Sequence, residues 1–176
     1  SRGLGDVYKR QLKKCRSTPL LRDLFITDIG YFPASKGHWV NRPDGCDTNI
    51  MIFCLAGLGW VSISGKRKIP VRQGGLVFIP AGFPHRYGAS EAAPWQIRWV
   101  HFSGRKSADY LDHLGGELFG EVLPGESEGI VTAFEQAQEV LLEGYTDSGL
   151  LLLSASLSRL IALAIQSKQA HGHKSR

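Results

Sequence analysis

The chain has 176 residues and a mass of 19.3 kDa, with 43% hydrophobic and 21% charged residues. That is enough chain for one domain with a sizeable core, and the apolar content excludes disorder along the whole length. The net charge of +5 belongs to the ends: residues 1–16 hold six basic side chains against Asp6, residues 166–176 add three more, and residues 17–165 carry a net −3. A mildly acidic body excludes a basic nucleic-acid groove within it.

Residues 1–16 read as a disordered basic arm. Their first eleven, SRGLGDVYKRQ, resemble translated adaptor sequence and carry no functional weight. From there to residue 104 the text is strands and turns. Leu24–Ile29 predicts a first strand, followed by a loop through Pro33 and Gly37. Ile50–Ala56 is β-branched and aromatic-rich and stops at Gly57. Trp60–Ser64 alternates apolar and polar residues and turns at Gly65; Arg67–Val71 and Leu76–Ile79 follow, the latter ended by Pro80. Trp95–Phe102 alternates again, with Trp95, Ile97, Trp99 and His101 on one face. Short strands with Gly-containing turns about every ten residues predict an antiparallel sandwich or barrel over residues 17–104.

Residues 105–168 read as helical. Ser107–Leu114 predicts one short helix. Gly129–Leu142 spaces Ile130, Phe134, Ala137, Val140 and Leu141 by threes and fours, which predicts a second. A third runs from a Ser148 cap to about Lys168. It carries two adjacent faces, one of Leu150, Leu153, Leu157, Leu160 and Ala164, the other of Leu151, Ser154, Ser158, Ile161 and Ile165. The second face asks for a partner helix, inside the chain or across a dimer. Residues 169–176 read as the start of a linker.

Cys15, Cys46 and Cys54 form no C-x-x-C unit and read as reduced thiols, with Cys54 buried in a strand. Neither a signal peptide nor a membrane span is expected. The longest apolar runs, Ile50–Ala56 and Leu150–Leu153, fall far below the roughly 20 residues that cross a bilayer. The expectation is a soluble, cytoplasmic protein.

The most specific motif is GGLVFIPAGFPHRYG, residues 74–88, with Gly74, Pro80, Gly82 and His85 in a G-x5-P-x-G-x2-H pattern. Pro80 ends a strand, Gly82 permits a left-handed turn, and His85 and Tyr87 begin the next strand. This string resembles the second signature of the cupin (jelly-roll) barrel. Metal-binding cupins need an H-x-H pair plus a carboxylate on the earlier strands. The equivalent stretch here, NIMIFCLAG (49–57), has no His, Asp or Glu, and the one H-x-H pair, His171 and His173, lies in the tail. No metal and no cofactor are expected.

Over residues 20–165 the chain resembles the N-terminal sensing and dimerisation domain of AraC-type transcription regulators, a bacterial family. The matching strings are RPDG (42–45), IFCLAGLGWVSISGKRKIPVRQGGLVFIPAGFPHRYGA (52–89) and PWQIRWVHFSG (94–104). The resemblance implies a cupin-like β-barrel followed by two or three helices, a small effector, often a sugar, inside the barrel, and a homodimer through the last long helix. It implies effector contacts from Arg42, Tyr87 and Trp99. Ile97 stands where arabinose-binding members have a pocket histidine, so the expected ligand differs from arabinose. His85, Trp95 and His101 are secondary candidates. For the dimer, the matching positions are Leu150, Leu151, Ser154 and Ile161. DNA contact is expected only through a C-terminal helix-turn-helix region outside this sequence, which makes the chain a piece of a longer regulator.

The rival reading is a small cupin enzyme, such as a metal-dependent isomerase, epimerase or dioxygenase. It would need metal ligands or an acid–base pair in the barrel, yet Thr48 to Ser90 contains no Asp or Glu. The expectation is therefore a binding module and no enzyme. A barrel filled by its own side chains between Arg42, Tyr87 and Trp99 would instead point to a dimeric scaffold.

Overall fold

The structure is a computed structural model that describes residues 6–174, with side chains over residues 10–167. In chain order the elements are α1 (Asp6–Ser17), β1 (Phe25–Phe32), β2 (Trp39–Arg42), β3 (Asn49–Ala56), β4 (Leu58–Ile63), β5 (Ile69–Arg72), β6 (Gly75–Ile79), β7 (His85–Ala89), β8 (Gln96–Ser103), α2 (Ser107–Asp112), β9 (Phe119–Glu121), α3 (Pro124–Leu142) and α4 (Asp147–Lys174). The strands form two sheets, ordered β1-β8-β3-β6-β9 and β2-β7-β4-β5, with antiparallel pairing throughout. This is the predicted class: a cupin-like, mainly antiparallel β domain with helices at its C-terminal end.

Two apolar layers hold it together, and the first sheet lies between them. Toward the second sheet, it contributes Ile50, Ile52 and Cys54 of β3, Val77 and Ile79 of β6, and Ile97 and Trp99 of β8. Toward the helices it contributes Met51 and Phe53, Leu76 and Phe78, and Val100 and Phe102. A strand buried on both faces loses its polar alternation, which is why Ile50–Ala56 reads as one continuous apolar run. The second sheet packs on one side only, so β4 and β5 retain alternation.

β1 departs from simple period two. Its register with β8 shifts between Ile26 and Asp28, a bulge at Thr27. Ile26 and Ile29, three residues apart, therefore both reach the helix-side layer, because the extra residue restores the phase.

Several expectations require correction. The described part of the N-terminal arm, from Asp6, is helical. α1 packs there through Leu12 and Cys15 against Leu21, Phe25 and Leu150, and Lys14 pairs with Asp147. Residues 1–5 lie outside the described residues. The loop after Pro33 gives way to a strand, β2, and the three-residue β9 falls in a stretch with no predicted element. α3 begins five residues early, because Pro124 in its first turn needs no amide partner and Glu126 complements the helix N-terminus. Thr146, not Ser148, caps α4: its hydroxyl accepts the Gly149 amide proton at 3.1 Å. α4 also continues to Lys174, through most of the expected linker, and Ser175 and Arg176 lie outside the described residues.

The second face of α4 finds its partners inside the chain. Ile161 is buried, Ser154 donates to the Leu24 carbonyl at 2.6 Å, and the Ser158 hydroxyl meets the Tyr110 hydroxyl at 2.9 Å. Of the four expected dimer positions only Leu151 is exposed; intrachain packing occupies Leu150, Ser154 and Ile161. Contrary to the expectation of no span, the 21 residues Asp147–Ser167 are long and apolar enough to cross a membrane, with mean hydropathy 1.8. Searching for unbroken apolar runs misses such a segment. Here Leu153, Leu157, Leu160 and Ala164 of the same helix pack on α3 and the first sheet, the use expected of an amphipathic core helix.

Candidate effector site

The polar interior of the barrel is assembled by strand register. β2 pairs with β7 so that Arg42 stands opposite His85 and Val40 opposite Tyr87. Arg42 Nη1 donates to His85 Nε2 at 3.0 Å and to the Tyr87 hydroxyl at 3.5 Å. His85 Nδ1 donates in turn to the Phe83 carbonyl at 2.8 Å. That bond leaves Nε2 as the acceptor of a neutral imidazole, the tautomer a guanidinium requires. The His85 and Tyr87 rings lie parallel with centroids 6.1 Å apart. Arg42 is thus held by two neutral partners.

Burial sets the protonation states here. It pulls His85 below the usual histidine range, helped by the nearby Arg42 charge and opposed by the Phe83 bond. It pulls His101 down to about 4, with Arg42 and His85 pushing the same way. It pushes the Tyr87 phenol up, with Arg42 opposing. At neutral pH the site therefore presents one guanidinium among neutral imidazoles and a neutral phenol, with the Asp28 carboxylate nearby.

The remaining walls come from β8 and its approach. Trp99 and Ile97 face the inter-sheet layer, as does Trp95 just before the strand. Trp99 lies over Gly30, its cross-strand neighbour on β1, where a side chain would collide with the indole. Trp95 is fully buried against Gly59, and its indole N–H has no hydrogen-bond partner. His101 Nδ1 lies 2.9 Å from the Thr48 hydroxyl, and its ring meets Trp99 edge-on at 5.5 Å. Thus Arg42, His85 and Tyr87 form one bonded cluster. Trp95, Ile97 and Trp99 belong to the same interior without a polar bond to it.

Sequence reasoning missed Asp28, Thr48 and His38. Asp28 pairs with His101 across β1 and β8, and its carboxylate is near enough to raise the Tyr87 pKa. It escaped a search for acids confined to residues 48–90, and the Thr27 bulge hid its phase. His38 stacks on Phe32 with centroids 3.6 Å apart, joining the free edges of β2 and β1. The thiols are free, as expected; burial raises Cys54 to about 11, which makes it inert at neutral pH. Among the described residues no group of three or more His, Cys, Asp or Glu is disposed to hold a metal ion.

Three cavities are described, of about 310, 710 and 200 Å³, and none is lined by Arg42, Tyr87 or Trp99. They lie along the β5–β9 side of the barrel and beside α2.

The family model of the AraC-like ligand binding domain matches residues 37–173. The MmsAB operon regulatory protein of Pseudomonas aeruginosa (strain PAO1) is 31% identical over 154 residues, which are 85% of this chain and 50% of that protein. The chain thus spans about half the length of this curated relative. Among solved structures, an RmlC-like cupin family protein from Methanocaldococcus jannaschii aligns with a TM-score of 0.39 and 8% identity, over 49% of this chain and 75% of that one. Bacillus subtilis oxalate decarboxylase aligns with a TM-score of 0.38 and 20% identity, over 53% of this chain and 25% of that one. At those scores neither structure lends its chemistry to the present site. The chain belongs to the AraC-like ligand binding domain family.

Proposed function

We propose that this domain senses a small polar effector, sugar-like in its hydroxyl content, inside the barrel of a bacterial transcription regulator. One observation carries the reading. Arg42 sits in the barrel with its charge met by neutral His85 and Tyr87, so its remaining donors are available to ligand oxygens. Trp99 supplies a flat apolar wall for a ring or chain. The domain works by binding and population shift, with no covalent step. The non-enzymatic reading rests on the regulatory role in the relative's name and on the lack of Asp and Glu from Thr48 to Ser90, with Asp28 of β1 the one acid placed near the site.

The name of the relative, an operon regulatory protein, supports the same role in gene control. In this reading a DNA-binding region outside this sequence contacts the operator, and the effector changes how two such regions are placed on half-sites. The compartment is the cytoplasm, where operators are. The second copy docks on the exposed side of α4, where Leu151 and Leu152 are 41% and 56% exposed and Ala155 and Ala162 continue the stripe.

A thermal-shift screen against mono- and disaccharides and their acids tests the effector site. A true effector raises Tm of the natural protein, and Arg42→Ala weakens that response at least tenfold, the loss of a charged hydrogen bond of about 1.5–3 kcal/mol. A ligand that stabilises both proteins equally sinks the role of Arg42. Stoichiometric Fe, Mn or Zn surviving chelation would favour the enzyme reading instead.

A further inference from the structure

We infer that the β4–β5 hairpin end of the barrel is a second small-molecule site, shaped for an apolar carboxylic acid and independent of Arg42. A cavity of about 310 Å³ opens there, within the size range of small-molecule sites. Its apolar walls are Ile63, Ile69, Phe83, Leu118 and Phe119, contributed by the facing ends of β4, β5 and β9 and the loop before β7. Phe83 is 42% exposed and stands in the wall of this cavity.

The rim has one sign of charge. Lys66 and Arg67 line the cavity, both exposed; Glu117, between the lining residues Gly116 and Leu118, does not itself line it. No acid lines this cavity. The adjoining cavity of about 710 Å³ shares Lys66, Phe83, Gly116 and Leu118, and its one acid, Asp112, lies beyond them on α2. Apolar walls below and cations at the water line suit an amphiphilic anion: the hydrocarbon is desolvated while the carboxylate stays at the rim beside its countercharges.

The rim is held in place. Ser64 and Gly65 have φ of 52° and 70°, and the Lys66 amide donates to the Ile63 carbonyl at 3.1 Å, forming a two-residue hairpin turn with both central residues left-handed. Ser64 is the only non-glycine residue with positive φ among the described residues. The Ser62 hydroxyl donates to the Lys66 carbonyl at 2.5 Å and the Ser64 amide to the Pro84 carbonyl at 2.7 Å, tying the turn to the loop that carries Phe83. On the opposite lip Gly115 and Gly116, with φ of 57° and 83°, carry the chain past without side chains.

Calorimetric titration of the full chain with octanoate, octanol and octylamine tests the site. Octanoate is expected to bind at least fivefold tighter than octanol and tenfold tighter than octylamine. In the double variant Lys66→Gln with Arg67→Gln, two exposed changes, octanoate falls to the affinity of octanol. Arg42→Ala leaves octanoate affinity within twofold. Equal binding of octanoate and octylamine overturns the proposal, as does no heat from octanoate at millimolar concentration. Loss of octanoate binding in Arg42→Ala also overturns it, because the acid would then sit in the barrel centre.

Discussion

His101 shows how a residue with an ordinary solution chemistry becomes a pH gauge once folded. Its imidazole is protonated with a pKa of about 4 in the folded chain, against a usual value near 6.5, because burial and the neighbouring Arg42 and His85 disfavour the cation. The unfolded chain therefore binds more protons between these values. The stabilisation is fully present above pH about 6.5 and is lost as pH falls to about 4, at most about 3–4 kcal/mol at 1.36 kcal/mol per unit. Thermal midpoints measured from pH 7 to pH 4 should fall, and His101→Gln should flatten that fall while Thr48 keeps a hydrogen-bonding partner. An unchanged slope in the variant would remove His101 from the account. At this scale the sequence was partly legible. The motif around Pro80 and His85 marked the correct strand, but Arg42 and His85 are 43 residues apart and only pairing of β2 with β7 makes them partners.

At the scale of elements, β8 is the member that joins the interior to the helices. Ile97 and Trp99 face the other sheet, while Arg98 between them turns outward. It donates to Gln138 and, at 3.0 Å, to Glu135, both on α3. Its side chain is only 15% exposed, and its ring partner Tyr31 lies 5.5 Å away. Removing these charged bonds with Arg98→Met should cost about 1–3 kcal/mol in denaturant unfolding. Glu135→Gln, at a half-exposed partner, should cost under about 1 kcal/mol. Equal costs would mean that Arg98 acts almost wholly through its pairing with Glu135. The alternation of Trp95, Ile97, Trp99 and His101 was legible, since an eight-residue strand shows its period. β2 and β9 were not: four- and three-residue strands have too few residues to show one, and their pairing partners supply the stability.

The whole molecule raises the question of what covers α4. Its buried side settles on α3 and β1, leaving Leu151, Leu152, Ala155 and Ala162 outside at spacings of three, four and seven. Light scattering after size exclusion should give the mass of two chains, and Leu151→Asp with Leu152→Asp should give one. Ile161→Ala should keep the two-chain mass and lose about 2–4 kcal/mol of stability, because Ile161 is a core residue of its own chain. A single-chain mass for the unaltered protein would end the dimer proposal.

Apart from α1, β2 and β9, the sequence by itself determined the order of strands and helices, the barrel class and the family, because these are written in local periodicity, in turn residues and in a contiguous motif. The net charge of +5, too, was resolved along the chain into basic ends and a mildly acidic body. Only the tertiary structure decided which residues meet. Register placed Asp28 opposite His101 and Arg42 opposite His85. Helix packing turned two expected dimer contacts, Leu150 and Ile161, into core and bonded a third, Ser154, to the Leu24 carbonyl. Side chains distant in sequence touch only through pairing and packing, and a local pattern carries no information about either.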